Sequence, residues 1–156
     1  MEVKDVVFYT IMRLGYNGAK YEVYNAKTGS TYIRVGLDRL RISDHAGLYD
    51  DYNYIIRTDC RTPAKISGKT VAPAEKADEI IDELIRRYHK YVVQCSVMQT
   101  ILDAGEYTKA QVKKLDIDFL YGILDLPVRQ KQQKPKEYCV EKIMSHPGKF
   151  YRFIGA

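Results

Sequence analysis

The chain has 156 residues, enough for one globular domain, or a domain with a small helical annex, that buries a true core. Hydrophobic residues make up 46% of it and charged residues 29%, which excludes a disordered chain. Lys and Arg number 25 against 20 Asp and Glu, a net charge of +5 that permits an anionic partner without demanding one.

The aromatic balance is skewed: 14 Tyr, 4 Phe and no Trp. A tyrosine joins an apolar ring to a polar tip, so an excess suits partly exposed sheets and interfaces, and also the plain edge of a core. Cys60, Cys95 and Cys139 are odd in number, far apart and without a C-x-x-C pair. They are read as reduced thiols, not as a disulfide framework or zinc cage. Nothing resembles a signal peptide, and no apolar run reaches the ~18 residues of a membrane span. The expectation is a soluble protein of the cytoplasm.

In residues 2–14, Val3, Val7, Ile11 and Leu14 fall at helical spacing, with Gly15 where a left-handed cap would sit. The segment is also rich in strand formers, so a strand is the rival reading; helix is taken. Lys20–Tyr24 and Thr31–Val35 alternate on either side of an Asn/Gly turn and make a hairpin. Gly36-Leu37-Asp38 turns the chain into a third strand, Arg39–Ile42, and a turn over Ser43–Asp51 leads to a fourth, Asn53–Arg57. The expected core is thus a four-stranded antiparallel meander. Period-two alternation puts Ile33, Val35, Leu40, Ile42 and Ile55 on one face. Arg34, Arg39, Arg41 and Arg57, interleaved with Tyr32 and Tyr54, then stand on the other.

Residues 60–73, with two prolines, Gly68 and three basic residues, read as a loop. A helix begins near Pro73, with Ala77, Ile80, Ile81, Leu84, Ile85, Tyr88, Val92 and Cys95 as its apolar stripe. Its acidic first half and basic second half complement the helix dipole. Residues 96–126 read as short helices, with Thr108-Lys109-Ala110-Gln111 a capping box and Asp116 the cap of a last helix that Pro127 stops. Asp116, Asp118 and Asp125 argue against a DNA-reading helix there, so the segment is taken as a packing or protein-contact annex. The expected organisation is an α+β core over 1–95, the annex over 96–127, a basic linker over 128–136, and a segment over 137–156 that docks on the core.

Asp44-His45 is the one pair that invites catalysis, since a carboxylate can orient an imidazole base. Sequence neighbours on an extended chain point opposite ways, however, and Ser43, Asp44 and Gly47 are ordinary turn formers. His89, His146, Cys95 and Cys139 lack the spacing of metal ligands, so neither metal nor cofactor is expected. The arginine and tyrosine face is the stronger feature: cations neutralise phosphate while rings offer stacking area. The alternative is a solvated face balanced by Glu22, Asp38, Asp50 and Asp51. Arg61, Lys65 and Lys69, and the arm Arg129, Lys131, Lys134 and Lys136, add weight to an anionic partner.

The succession Tyr32-Ile33-Arg34-Val35, then Arg39-Leu40-Arg41-Ile42-Ser43-Asp44-His45, then Tyr52-Asn53-Tyr54-Ile55-Ile56-Arg57-Thr58-Asp59, precedes the acidic-to-basic helix. Over about residues 31–92 it resembles small accessory proteins of bacteriophages and mobile elements, in particular some anti-CRISPR inhibitors of Cas9. The resemblance implies stoichiometric inhibition of a host Cas9-type nuclease complex, with or without guide RNA, through a nucleic-acid or effector surface. It carries over no catalytic residue. The expected partner-binding residues are Tyr32, Arg34, Arg39, Arg41, Tyr54 and Arg57, with His45 at the adjoining turn. Two alternatives stay open: a DNA- or RNA-binding accessory protein without a protein target, and a small hydrolase or nuclease using Asp44 and His45.

Overall fold

The computed structural model describes residues 2–44, 54–58, 64–66, 69–105, 107–126 and 134–148. The chain divides into two compact units, Met1–His89 and Lys90–Ala156.

The first unit is α+β. Helix α1, Val3–Tyr16, opens with a reciprocal capping box between Glu2 and Asp5. The helix continues through Gly15. Its left-handed residue is instead Gly18, at φ 72°, and the Ala19 N–H donates to the Leu14 carbonyl at 2.9 Å. The buried face is also rotated from the expected one, to Val6, Thr10 and Leu14. Thr10 can be buried there because its hydroxyl donates to the Val6 carbonyl at 2.7 Å.

Strands β1 (Glu22–Asn25), β2 (Thr31–Val35) and β3 (Asp38–Ser43) form the expected antiparallel meander. Gly36, at φ 60°, supplies the first position of the two-residue β2–β3 turn, where a side chain would be strained. Beyond β3 the expectation fails. β4 (Tyr54–Arg57) runs parallel to β3, and β6 (Lys69–Pro73) runs parallel to β4. β5 (Ala64–Ile66) pairs antiparallel with β6, so part of the segment read as a loop is a hairpin. Among the described residues the sheet has six strands, in the order β1-β2-β3-β4-β6-β5, and is mixed.

The parallel register moves Ile55 off the face it was assigned. Residues directly paired share a face, and Arg41 pairs with Ile55 while Leu40 pairs with Tyr54. Ile55 therefore lies on the arginine side, and Tyr54 on the side of Leu40. Ile55 and Ile56 are both buried, as are Arg41 and Ile42, so the sheet centre is covered on both faces. This is the usual condition of parallel strands.

Helix α2 runs from Ala77 to Asp103, after a single 3-10 turn over Ala74–Lys76. In the first unit it buries Ala77, Ile80, Ile81, Leu84 and Tyr88. Arg87 Nε meets the buried Asp38 carboxylate at 2.7 Å, which fixes α2 to the face that holds Ile33, Val35, Leu40 and Ile42. Arg13 joins α1 to α2 by ion pairs to Asp78, at 2.5 Å, and to Asp82.

In the second unit α2 changes its buried face: Val92 is 42% exposed, while Gln94, Met98 and Ile101 are buried. Around it lie α3 (Lys109–Lys113), α4 (Ile117–Leu124) and α5 (Lys136–Ser145). The Thr108 capping box forms as expected. Asp116 occupies the cap position of α4 without a side-chain cap bond; it pairs with Lys90 at 3.4 Å, and its N–H donates to Gln94 at 2.9 Å. Cys139, Val140 and Ile143 give α5 its buried face, packed on α3 and α4.

Candidate functional site

The sheet register places Tyr32, Arg34, Arg39, Arg41 and Arg57 on one face, opposite the helices, because Tyr32 pairs with Arg41, Arg34 with Arg39, and Ser43 with Arg57. This face reads as rows across the strands. One row is Tyr24, Tyr32, Arg41 and Ile55; the next is Glu22, Arg34 and Arg39.

Exposure separates these residues sharply. Arg34 is exposed and, among the described residues, forms no ion pair, even with Glu22 opposite it in the register. Arg39 is half-buried, and so is Arg57. Arg41 does not reach solvent: it is 1% exposed, its Nε and Nη2 donate to Ser30 Oγ at 3.1 and 3.0 Å, and Nη2 also donates to Ser43 Oγ at 3.2 Å. A two-faced strand alternation assigns Arg41 to the open side, but the parallel centre of the sheet is covered on that side too. Arg41 is thus a buried structural cation rather than a contact residue.

Tyr32 is also buried, with its ring stacked on Tyr24 at 5.0 Å and 14° between planes. Tyr24, on the edge strand, is 42% exposed and is the accessible member of the pair. The sequence reading missed it. The signal was the hairpin itself, since the Asn25–Ser30 turn sets Tyr24 opposite Tyr32. Tyr54 leaves this face for the helix side, where burial pushes its phenol up to about 12 against the opposing pull of Arg87. Asp38, expected to balance the arginines, pairs with Arg87 on that same helix side. Asp44 is exposed. His45, Asp50 and Asp51 lie outside the described residues, as do Arg61, Arg129 and Lys131.

The accessible part of the face is therefore the β1–β2–β3 corner. It carries two guanidiniums in adjacent strands, directly opposite each other, beside a stacked tyrosine pair. Like charges so placed repel, and an anion between them relieves the repulsion. Bidentate hydrogen bonding to phosphate or carboxylate, with a ring surface alongside, is what the corner can do chemically. No group of three or more His, Cys, Asp or Glu side chains among the described residues could hold a metal ion. No helix among them is long and apolar enough to cross a membrane.

The fold and this corner define an α+β chain with a basic, tyrosine-bearing sheet face. Comparison with protein-family models, with curated proteins and with solved structures finds no match for it.

Proposed function

We propose that this protein is a non-enzymatic binding protein that engages an anionic surface through the β1–β2–β3 corner. The observation that carries the reading is the exposed Arg34, set opposite Arg39 and beside the Tyr24–Tyr32 stack. The finer reading is a phage or mobile-element inhibitor of a host Cas9-type nuclease, occupying a nucleic-acid or effector surface. Its support is the sequence resemblance over about residues 31–92 together with the charge of the corner. The geometry changes which residues test it. Arg41 is unsuitable, and Arg34, Arg39 and Tyr24 take its place.

The experiment is capture of Cas9 by the tagged protein, with and without guide RNA, before and after nuclease treatment. A nuclease-resistant stoichiometric complex, weakened at least tenfold by Arg34→Glu/Arg39→Glu in a folded variant, supports the proposal. Recovery of nucleic acid alone, lost on nuclease treatment and falling steeply with salt, replaces it with the accessory nucleic-acid-binding reading. Absence of both, or binding indifferent to the double variant, removes the corner as the contact surface. Turnover of a nucleic-acid or ester substrate, lost on His45→Ala with the fold retained, would instead establish the Asp44–His45 hydrolase.

A further inference from the structure

In the second unit, the corner where α4 ends against α5 holds a cleft of about 290 Å3 lined by Leu124, Leu126, Tyr138, Lys142 and His146. Tyr138 and Lys142, four apart, lie on one stripe of α5, and His146 is the residue that caps its C-terminal end. Leu124 and Leu126 flank Asp125, whose φ of 51° ends α4 in a left-handed turn.

Two cations stand near the Tyr138 ring, which forms one wall of this cleft; Lys142 also lines it. Lys134 Nζ stands 4.6 Å from the centre of the Tyr138 ring, and Lys142 Nζ stands 5.7 Å from it. The Lys134 backbone is held in place, because its carbonyl accepts the Tyr121 hydroxyl at 2.6 Å. A ring face offers each ammonium about 0.5–1 kcal/mol at an exposed site, which does not neutralise either charge. Among the described residues neither lysine forms an ion pair. Asp125 and Glu137, near in sequence, pair with neither of them, and Glu141 is committed to Lys109. An apolar wall beside two cations, with no carboxylate paired to either among the described residues, is a site one anion short.

We propose that this cleft binds an amphipathic anion: a short aliphatic or aromatic body against Leu124, Leu126 and Tyr138, with its carboxylate held by Lys134 and Lys142. At the ~30 Å3 that one water occupies, the cleft holds roughly ten non-hydrogen atoms. That suits a small carboxylic acid or the apolar C-terminal residue of a peptide, which present the same chemistry. The site belongs to the second unit and does not depend on the function proposed for the sheet corner. It also gives a use to Lys134, one of the basic residues of the arm singled out in the sequence.

The test is a set of amide NMR titrations of the full chain with four probes: hexanoate, 1-hexanol, inorganic phosphate, and acetyl-Leu-Leu with a free carboxylate. Hexanoate is expected to give saturable shifts at residues 124–126 and 138–146. The neutral alcohol and the bare anion should bind at least tenfold more weakly. Lys134→Glu/Lys142→Glu should weaken hexanoate at least tenfold while the rest of the spectrum stays in place; should the double variant lose its dispersed spectrum, Lys142→Gln gives the same reading. Tighter binding of the peptide than of hexanoate assigns the occupant to a partner's C-terminus, and the reverse assigns it to a free acid. Absence of saturable shifts from both carboxylates, equal binding of hexanol or phosphate, or indifference to the lysine variants overturns the proposal.

Discussion

Replacing Arg41 should disable the fold rather than a binding surface. Its guanidinium is held by Ser30 and Ser43, both fully buried, and the Ser30 hydroxyl donates to Ser43 at 3.2 Å. In Arg41→Ala the charge-assisted hydrogen bonds are lost, at about 1.5–3 kcal/mol for such a group, and a long buried stem is vacated. Two effects act in the other direction. The serines still bond each other, and removing the cation relieves its desolvation. The net expectation is about 2–4 kcal/mol of destabilisation. Urea denaturation followed by circular dichroism should show the midpoint falling with an unchanged slope, while the exposed Arg34→Ala stays within about 0.5 kcal/mol of the parent. Arg41→Met separates charge from packing, since it keeps the apolar stem. A loss below about 1 kcal/mol for Arg41→Ala would refute the assignment of this arginine to the core.

Arg87→Ala should cost about 2–4 kcal/mol by leaving the Asp38 carboxylate buried without its guanidinium; a double-mutant cycle with Asp38→Ala that proves additive would contradict this. Tyr54 should ionise near pH 12, read as a late phenolate absorbance step that Tyr54→Phe removes. Because its folded pKa lies above the unfolded value of about 10, its contribution is complete below pH 10 and is lost as the pH rises towards 12. After allowance for solvent screening this is about 1 kcal/mol, and an absorbance curve that Tyr54→Phe leaves unchanged in shape would count against it. Thr108→Ala removes the capping-box acceptor of α3 and should destabilise by about 1 kcal/mol in the same urea assay, against no change if the cap is idle.

The elements legible in the sequence were those governed by local pattern. Apolar spacing marked α1 and the first half of α2, the Asn/Gly and Gly36 turns marked the β1–β2–β3 meander, and Thr108 marked α3. Strand direction after Ser43 was not legible, because alternation over four residues is the same whether a strand runs up or down. The β5–β6 hairpin was hidden by prolines and lysines that compose loops equally well. Alternation correctly grouped Tyr32 with four arginines. It could say nothing about what covers that face, and so Arg41 was misplaced. The cleft beside Tyr138 had no sequence signal beyond a basic arm, since Leu124 and Lys142 meet only through tertiary packing.

The parallel centre of the sheet also has a kinetic side. The β1–β2 and β2–β3 pairings join segments close in sequence, whereas β3–β4 and β4–β6 span longer stretches of chain and close more slowly. Ser30, Arg41 and Ser43 all belong to the locally paired part, so the guanidinium can find its hydroxyl acceptors while water still reaches it. The later β3–β4 and β4–β6 pairings then complete the sheet centre around a guanidinium whose Nε and Nη2 bonds are already made. This order lets the chain bury an arginine after two of its three guanidinium nitrogens have found their acceptors. Ser30 and Ser43 are therefore as much part of the folding route as of the finished core.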